Sequence, residues 1–171
     1  MPNGDAAAAA FSDRVQPLRA FGSRKTLAAV VLAGTTVGTL DLIYAISIWW
    51  LQGVPAKVIP LSIASGAVGE AAFAGGGAMI ILGAALHYSI ALMMAGAFLF
   101  ATSRWPSLVS RPYRIGAAYG TFLYLLMNFL VVPLSRAPLG RPPVLIAFAD
   151  LGAHVLLVGI PIVLIASRTR A

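Results

Sequence analysis

The sequence predicts an all-α, polytopic membrane protein: a bundle of four transmembrane helices, with a short interfacial or re-entrant helix between the first span and the second. Three observations carry this reading. Of 171 residues, 60% are hydrophobic and 10% charged, and mean hydropathy is +0.90, whereas soluble domains carry roughly 25% charged residues. The apolar residues gather into four runs long enough to cross a bilayer core as helices, which satisfy their own backbone hydrogen bonds. The basic residues stand at the ends of those runs, on alternate sides.

Residues 1–24 hold an alanine run, two prolines, two glycines and scattered charges without a sustained apolar period, and are expected to form a disordered cytoplasmic tail. Residues 25–171 then make a single transmembrane domain. The first apolar run, 27–51, is far longer than the core of a signal peptide and reads as an uncleaved span closed by the interfacial pair Trp49 and Trp50. Between Gly53 and Gly77 the chain is broken by Pro55, Lys57, Pro60 and a run of glycines, so an interfacial or re-entrant helix over 56–65 is expected there. The second span, 78–102, stops at Arg104-Trp105-Pro106; the third covers 115–134 and the fourth 144–167. Pro138, Pro142 and Pro143 mark a short outer loop, and Pro161 is placed to kink the last helix.

Charge sets the expected orientation. Arg14, Arg19, Arg24 and Lys25 precede the first span, Arg104, Arg111 and Arg114 join the second to the third, and Arg168 and Arg170 follow the fourth. Lys57, Arg136 and Arg141 fall on the other side, a split of nine to three that puts both termini in the cytoplasm. The net charge of +7 does not point to nucleic acid, because the basic residues form no patch with interleaved aromatics. With no cysteine in the chain, disulfides, thiolate metal sites and thiol catalysis are excluded. Phosphate loops and nucleophile elbows are absent, and Asp41 and Asp150 share no catalytic motif, so the sequence does not point to an enzyme.

Polar groups within hydrocarbon are costly and usually face a bundle interior. Here they are Asp41 in the first span, His87 in the second, Asn128 in the third, and Asp150 and His154 in the fourth, with Glu70 in the broken segment. At about 1.5 Å per residue Asp41 lies about 20 Å from the cytoplasmic end of its span, and His87 and Asp150 about 9 to 14 Å below the outer ends of theirs. Gly34, Gly38 and Asp41 share a helix face, as do Gly83 and His87. One buried polar cluster in the outer half is therefore expected.

The plainest reading of that cluster is a hydrogen-bonded packing network in which Asp150 accepts from the His154 ring. A second makes His87, Asp150 and His154 ligands of a divalent metal, with Asp41 as an alternative carboxylate and Glu70 as an outer contributor. A third is a proton or ion relay. A fourth places a b-type haem between His87 and His154, the minimum such a group needs. The partner implied by composition is the lipid bilayer, and transport by so few spans would call for a homo-oligomer meeting at the Gly34, Gly38, Gly116 or Gly120 faces. An internal echo adds to this: Gly34-Thr35-Thr36-Val37-Gly38-Thr39 opens the first span and Gly116-Ala117-Ala118-Tyr119-Gly120-Thr121 the third, each followed by a helix with one histidine.

His87 opening an apolar helix, the stop at Trp105-Pro106, Gly116 and Gly120, Val132-Pro133-Leu134, a Pro-rich loop, Asp150 four before His154, and Arg168 follow one another in an order that resembles the YagU-like family of uncharacterised bacterial inner-membrane proteins. The resemblance covers about half the chain and does not reach Asp41. It implies a small bacterial inner-membrane protein, draws attention to His87, Asp150 and His154, and supplies no activity.

Overall fold

The computed structural model describes residues 23–138, 140 and 142–170. Four helices are long and apolar enough to cross a membrane: α1 (Arg24–Trp50), α3 (Gly76–Arg104), α4 (Pro112–Leu134) and α5 (Val144–Thr169), with the shorter α2 (Val58–Val68) and a 3-10 turn (Gly69–Ala74) between α1 and α3. This is the expected four-span bundle of a multi-pass membrane protein. The tail expected over residues 1–24 falls, up to Gly22, outside the described residues.

Local chemistry sets the ends. Ser23 caps α1, its hydroxyl accepting from Thr26 N at 3.2 Å, so the helix starts three residues before the apolar run does. Pro112 opens α4, where its missing N–H costs no helical bond and its fixed φ suits the first turn. The spans run alternately up and down, which gathers Arg24, Arg104, Arg111, Arg114 and Arg168 at one end of the bundle, here the basic end. Trp50, Gly76, Leu134 and Val144 lie at the far end.

The outward surface is apolar: Ile81, Phe129 and Leu145 are 72%, 72% and 79% exposed, a surface suited to lipid. Inside, small residues dominate, with Ala29, Ala33, Ala91, Ala95 and Ala166 buried beside Val37, Phe98, Leu123, Ile162 and Val163. Lipid tails are as apolar as leucine, so helix association rests on close van der Waals fit rather than on burial from water. Glycines provide that fit. On α1, a Cβ at Gly34 would come within 2.8 Å of Leu92 Cα; on α4, one at Gly116 would come within 2.6 Å of Ile160 Cα, and one at Gly120 within 2.7 Å of Val155 Cα. The two glycine pairs therefore do the same work, one joining α1 to α3 and the other α4 to α5, and α1 also packs on α5. These four glycines are buried within the chain.

The segment between the first two spans is helical over Val58–Val68 rather than 56–65, because Pro55 delays it and Gly69, at φ 72°, ends it. Pro60 backbone lies against Gly83, seven residues or about 10 Å in from the start of α3. Gly66 O accepts from Arg136 N at 2.9 Å in the far loop. α2 thus dips into the far half of the bundle, buries Pro60, Leu61, Ala64 and Ser65, and is re-entrant in shape.

Two stretches widen into π-helix, Met127–Val131 in α4 and His154–Gly159 in α5. Each lies just before a proline, Pro133 and Pro161, whose ring displaces the carbonyl four residues earlier and whose missing N–H breaks the α pattern. Where the sequence placed a kink at Pro161, the structure accommodates it with this wider turn.

The packing predicts that Gly120→Val, which forces a branched side chain into the His154 and Val155 backbone, lowers stability by about 2 kcal/mol or more. Gly152→Ala, facing open space on α5, should be neutral or stabilising by up to about 1 kcal/mol. Unfolding of the purified protein in mixed detergent micelles checks both.

Candidate functional site

Gly38, having no side chain, lets α3 approach α1 so closely that the His87 ring reaches across the seam. Its Nε2 lies 2.8 Å from Gly38 O. A carbonyl oxygen accepts and cannot donate, so Nε2 carries the hydrogen, and in the neutral ring Nδ1 is left as an acceptor. One residue on, Thr39 Oγ1 and Tyr88 Oη are 3.0 Å apart, a second bond over the same seam. On α5, the His154 Nδ1 donates to Asp150 O, one turn back along its own helix, at 2.9 Å, and by the same argument Nε2 is its acceptor. The Tyr124 ring meets His154 edge to face at 5.5 Å between centroids.

The Asp150 carboxylate was expected to accept from the His154 ring, but the ring's Nδ1 donates to the Asp150 backbone carbonyl instead. Asp150 Oδ1 accepts from Tyr44 Oη at 2.9 Å, a bond that ties α5 to α1. Sequence reasoning missed Tyr44. The signal was available: a tyrosine three residues after Asp41 stands on the same face of α1, and a buried phenol normally finds an acceptor.

The remaining polar groups separate. Asn128 is exposed and its amide donates to Tyr124 O on its own helix at 3.0 Å, at the start of the π turn, so it joins no shared cluster. Glu70 is exposed in the 3-10 turn. Asp41, His87, Asp150 and His154 are each half-buried. The expected single buried cluster is thus divided, with Asp150 turned to Tyr44 and Asp41, His87 and His154 brought to a common space.

That space is a cavity of about 100 Å³, lined by Asp41, Gly38 and Val37 of α1, Ile63 of α2, His87, Ile90, Ala91 and Met94 of α3, Met127 of α4, and His154 and Val158 of α5. Toward the basic end, Tyr119 fills between α3 and α4, its hydroxyl donating to Met94 O at 2.8 Å and its ring 4.9 Å from Phe98. Both π turns border the cavity, through Met127 and through His154 and Val158. Such turns recur at functional sites because the wider pitch re-aims side chains. In depth, Asp41 is nine residues or about 14 Å from the Trp50 end of α1, His87 about 16 Å from the start of α3, and His154 about 15 Å from the start of α5.

Asp41 differs from the other three. Among the described residues it makes no hydrogen bond and no ion pair, and it lines the cavity. No family model, no curated protein and no solved structure matches the chain.

Two cofactor readings meet the geometry here. About 100 Å³ is well below the roughly 300 Å³ at which small-molecule pockets begin, and His87 already spends Nε2 on Gly38 O; the site does not fit a haem. His87, Asp150 and His154 do not converge as a ligand trio, since among the described residues no three His, Cys, Asp or Glu side chains are grouped closely enough to hold a metal ion.

The bond from Tyr44 to Asp150 is expected to contribute about 1 kcal/mol, the scale of interhelical hydrogen bonds in lipid. Tyr44→Phe and Asp150→Asn should each destabilise by about that amount, and the double variant should cost less than their sum when the same unfolding measurement is made.

Proposed function

We propose that this protein handles protons or small cations within the membrane, taking them into the cavity between the spans, with Asp41 as the charged group. The observation that carries this reading is Asp41 itself: a carboxylate about 14 Å inside a transmembrane helix, unbonded to the described protein, facing a cavity that also receives both histidines. An ionisable group at that depth is expensive unless water, a proton or a cation meets it. A single water needs roughly 10–15 Å³, so a cavity of about 100 Å³ has room for several. The donors around it suit a positive guest, because the carboxylate and the remaining imidazole nitrogens all accept.

The packing reading has its own support and is compatible with this one. His87, Tyr88, Tyr44 and Asp150 are spent on bonds that pin α3 and α5 to α1. They hold the walls, and the guest would belong to Asp41. We further infer residence in the bacterial inner membrane with both termini cytoplasmic, supported by the nine-to-three split of basic residues and by the resemblance of the half from His87 onward to the YagU-like family.

Asp41→Asn separates the two roles. Because Asp41 makes no bond that stabilises the fold, the variant should be as stable as the wild type or slightly more so. Proton or monovalent-cation flux into proteoliposomes should fall at least tenfold. Unchanged flux with a loss of stability would return Asp41 to the packing network.

A further inference from the structure

A second carboxylate stands just outside the cavity. Within the described spans the acidic residues are Asp41 and Asp150, and Asp150 acts electrostatically on both Asp41 and His154. Asp150 is six residues, about 9 Å, in from the start of α5, and Tyr44, which donates to it at 2.9 Å, is as far in from the Trp50 end of α1. One turn deeper on the same helix faces come Asp41 below Tyr44 and His154 below Asp150, both in the cavity wall. A path inward from the far end therefore meets Tyr44 and Asp150 first, and Asp41 and His154 next.

We propose that the species this site handles is the proton, and that Asp150 is its second acceptor, taking the proton up between the far end of the bundle and Asp41. The inference rests on the proton or cation reading above and names the cargo. The wall lacks what an alkali ion needs. Such an ion sheds its hydration shell only for a ring of oxygens, and the side-chain oxygens here are those of Asp41, while the Gly38 carbonyl already accepts from His87 Nε2. The rest of the wall is mostly apolar side chain, such as Val37, Ile63, Ile90 and Val158. A proton needs only one acceptor at a time, and carboxylates and imidazoles in series are the groups that pass it through membranes.

Two like charges within reach of each other in a low-dielectric interior repel, so a proton is stabilised on either carboxylate and can pass between them. Asp150 takes a proton from water at the far end and becomes the neutral acid. Its bond from Tyr44 then loses the charge assistance that made it about twice as strong, which frees the carboxyl group to turn toward the cavity. A cavity water accepts the proton as it gives one of its own to Asp41; Asp150 is again a carboxylate, Asp41 is the acid, and the water is unchanged. Tyr44 is a positioning residue in these steps: its bond holds the charged carboxyl group off the cavity and acts as the latch.

The full chain in proteoliposomes is to be assayed for proton entry under an imposed pH gradient and, separately, for tracer sodium entry, in the wild type, Asp41→Asn, Asp150→Asn and Tyr44→Phe at equal folded yield. The wild type should pass protons and no sodium. Asp150→Asn should lower proton flux at least tenfold, as Asp41→Asn does. Tyr44→Phe breaks the same interhelical bond at a similar cost in stability but keeps the carboxyl group, so its flux should match or exceed that of the wild type. Equal losses in Asp150→Asn and Tyr44→Phe show that Asp150 acts only through its bond and overturn the proposal. Labelling of the wild type by a hydrophobic carbodiimide, which adds to a protonated carboxyl group in apolar surroundings, should mark Asp150 as well as Asp41, and this tests the acceptor even if a variant fails to fold; Asp150 left unmarked overturns its role. Sodium entry that depends on Asp41, with or without proton entry, overturns the proton assignment and leaves the cation reading standing. Proton entry lost in Asp41→Asn but intact in Asp150→Asn overturns the second acceptor alone; neither ion entering overturns this inference and the reading beneath it.

Discussion

Close helix contact at glycine is the constraint on which the rest of this structure depends. In lipid there is little to gain from bringing one apolar helix against another unless their backbones can nearly touch. Gly34 and Gly38 let α3 reach α1, and Gly116 and Gly120, facing Gly159 and its neighbours, let α5 reach α4. The hydrogen bond from His87 to Gly38 O follows from that approach, since no imidazole could reach a carbonyl behind a side chain. The same geometry, repeated in both helix pairs, gives physical content to the internal echo in the sequence: each pair places a histidine of its second helix at the level of the second glycine of its first.

Tight seams on two sides leave the slack elsewhere. α3 and α4 are bridged near the basic end by Tyr119, and both contribute to the wall of the cavity. Proline sharpens the effect. Pro133 and Pro161 each impose a π turn just before them, and both turns aim side chains toward the same space. α2 completes the wall with Ile63, held by its own glycine contact at Gly83.

The polar groups fall into two kinds by what they touch. Those that bond to protein, His87, Tyr88, Tyr44, Asp150 and Tyr119, join one helix to the next and would be useful in any membrane bundle. Asp41 bonds to none of the described residues and lines, with His87 and His154, a cavity wide enough for several waters.

The sequence by itself determined the number of spans, their limits to within about three residues, a short helix between the first two spans, and which end of the bundle is basic. These follow from hydropathy, caps, prolines and charge, which are local and add along the chain. It also named Asp41, His87 and His154, because an ionisable group in a long apolar run stands out whatever surrounds it. Tertiary structure alone decided how these groups meet. α1 and α3 are nearly as apolar on one side as on the other, so periodicity cannot say how each is rotated about its axis. That rotation turned Asp150 to Tyr44, left Asn128 on its own helix, closed the glycine faces inside the chain, and set Asp41, His87 and His154 around one cavity. It is set by backbone contact between distant segments, which no local pattern records.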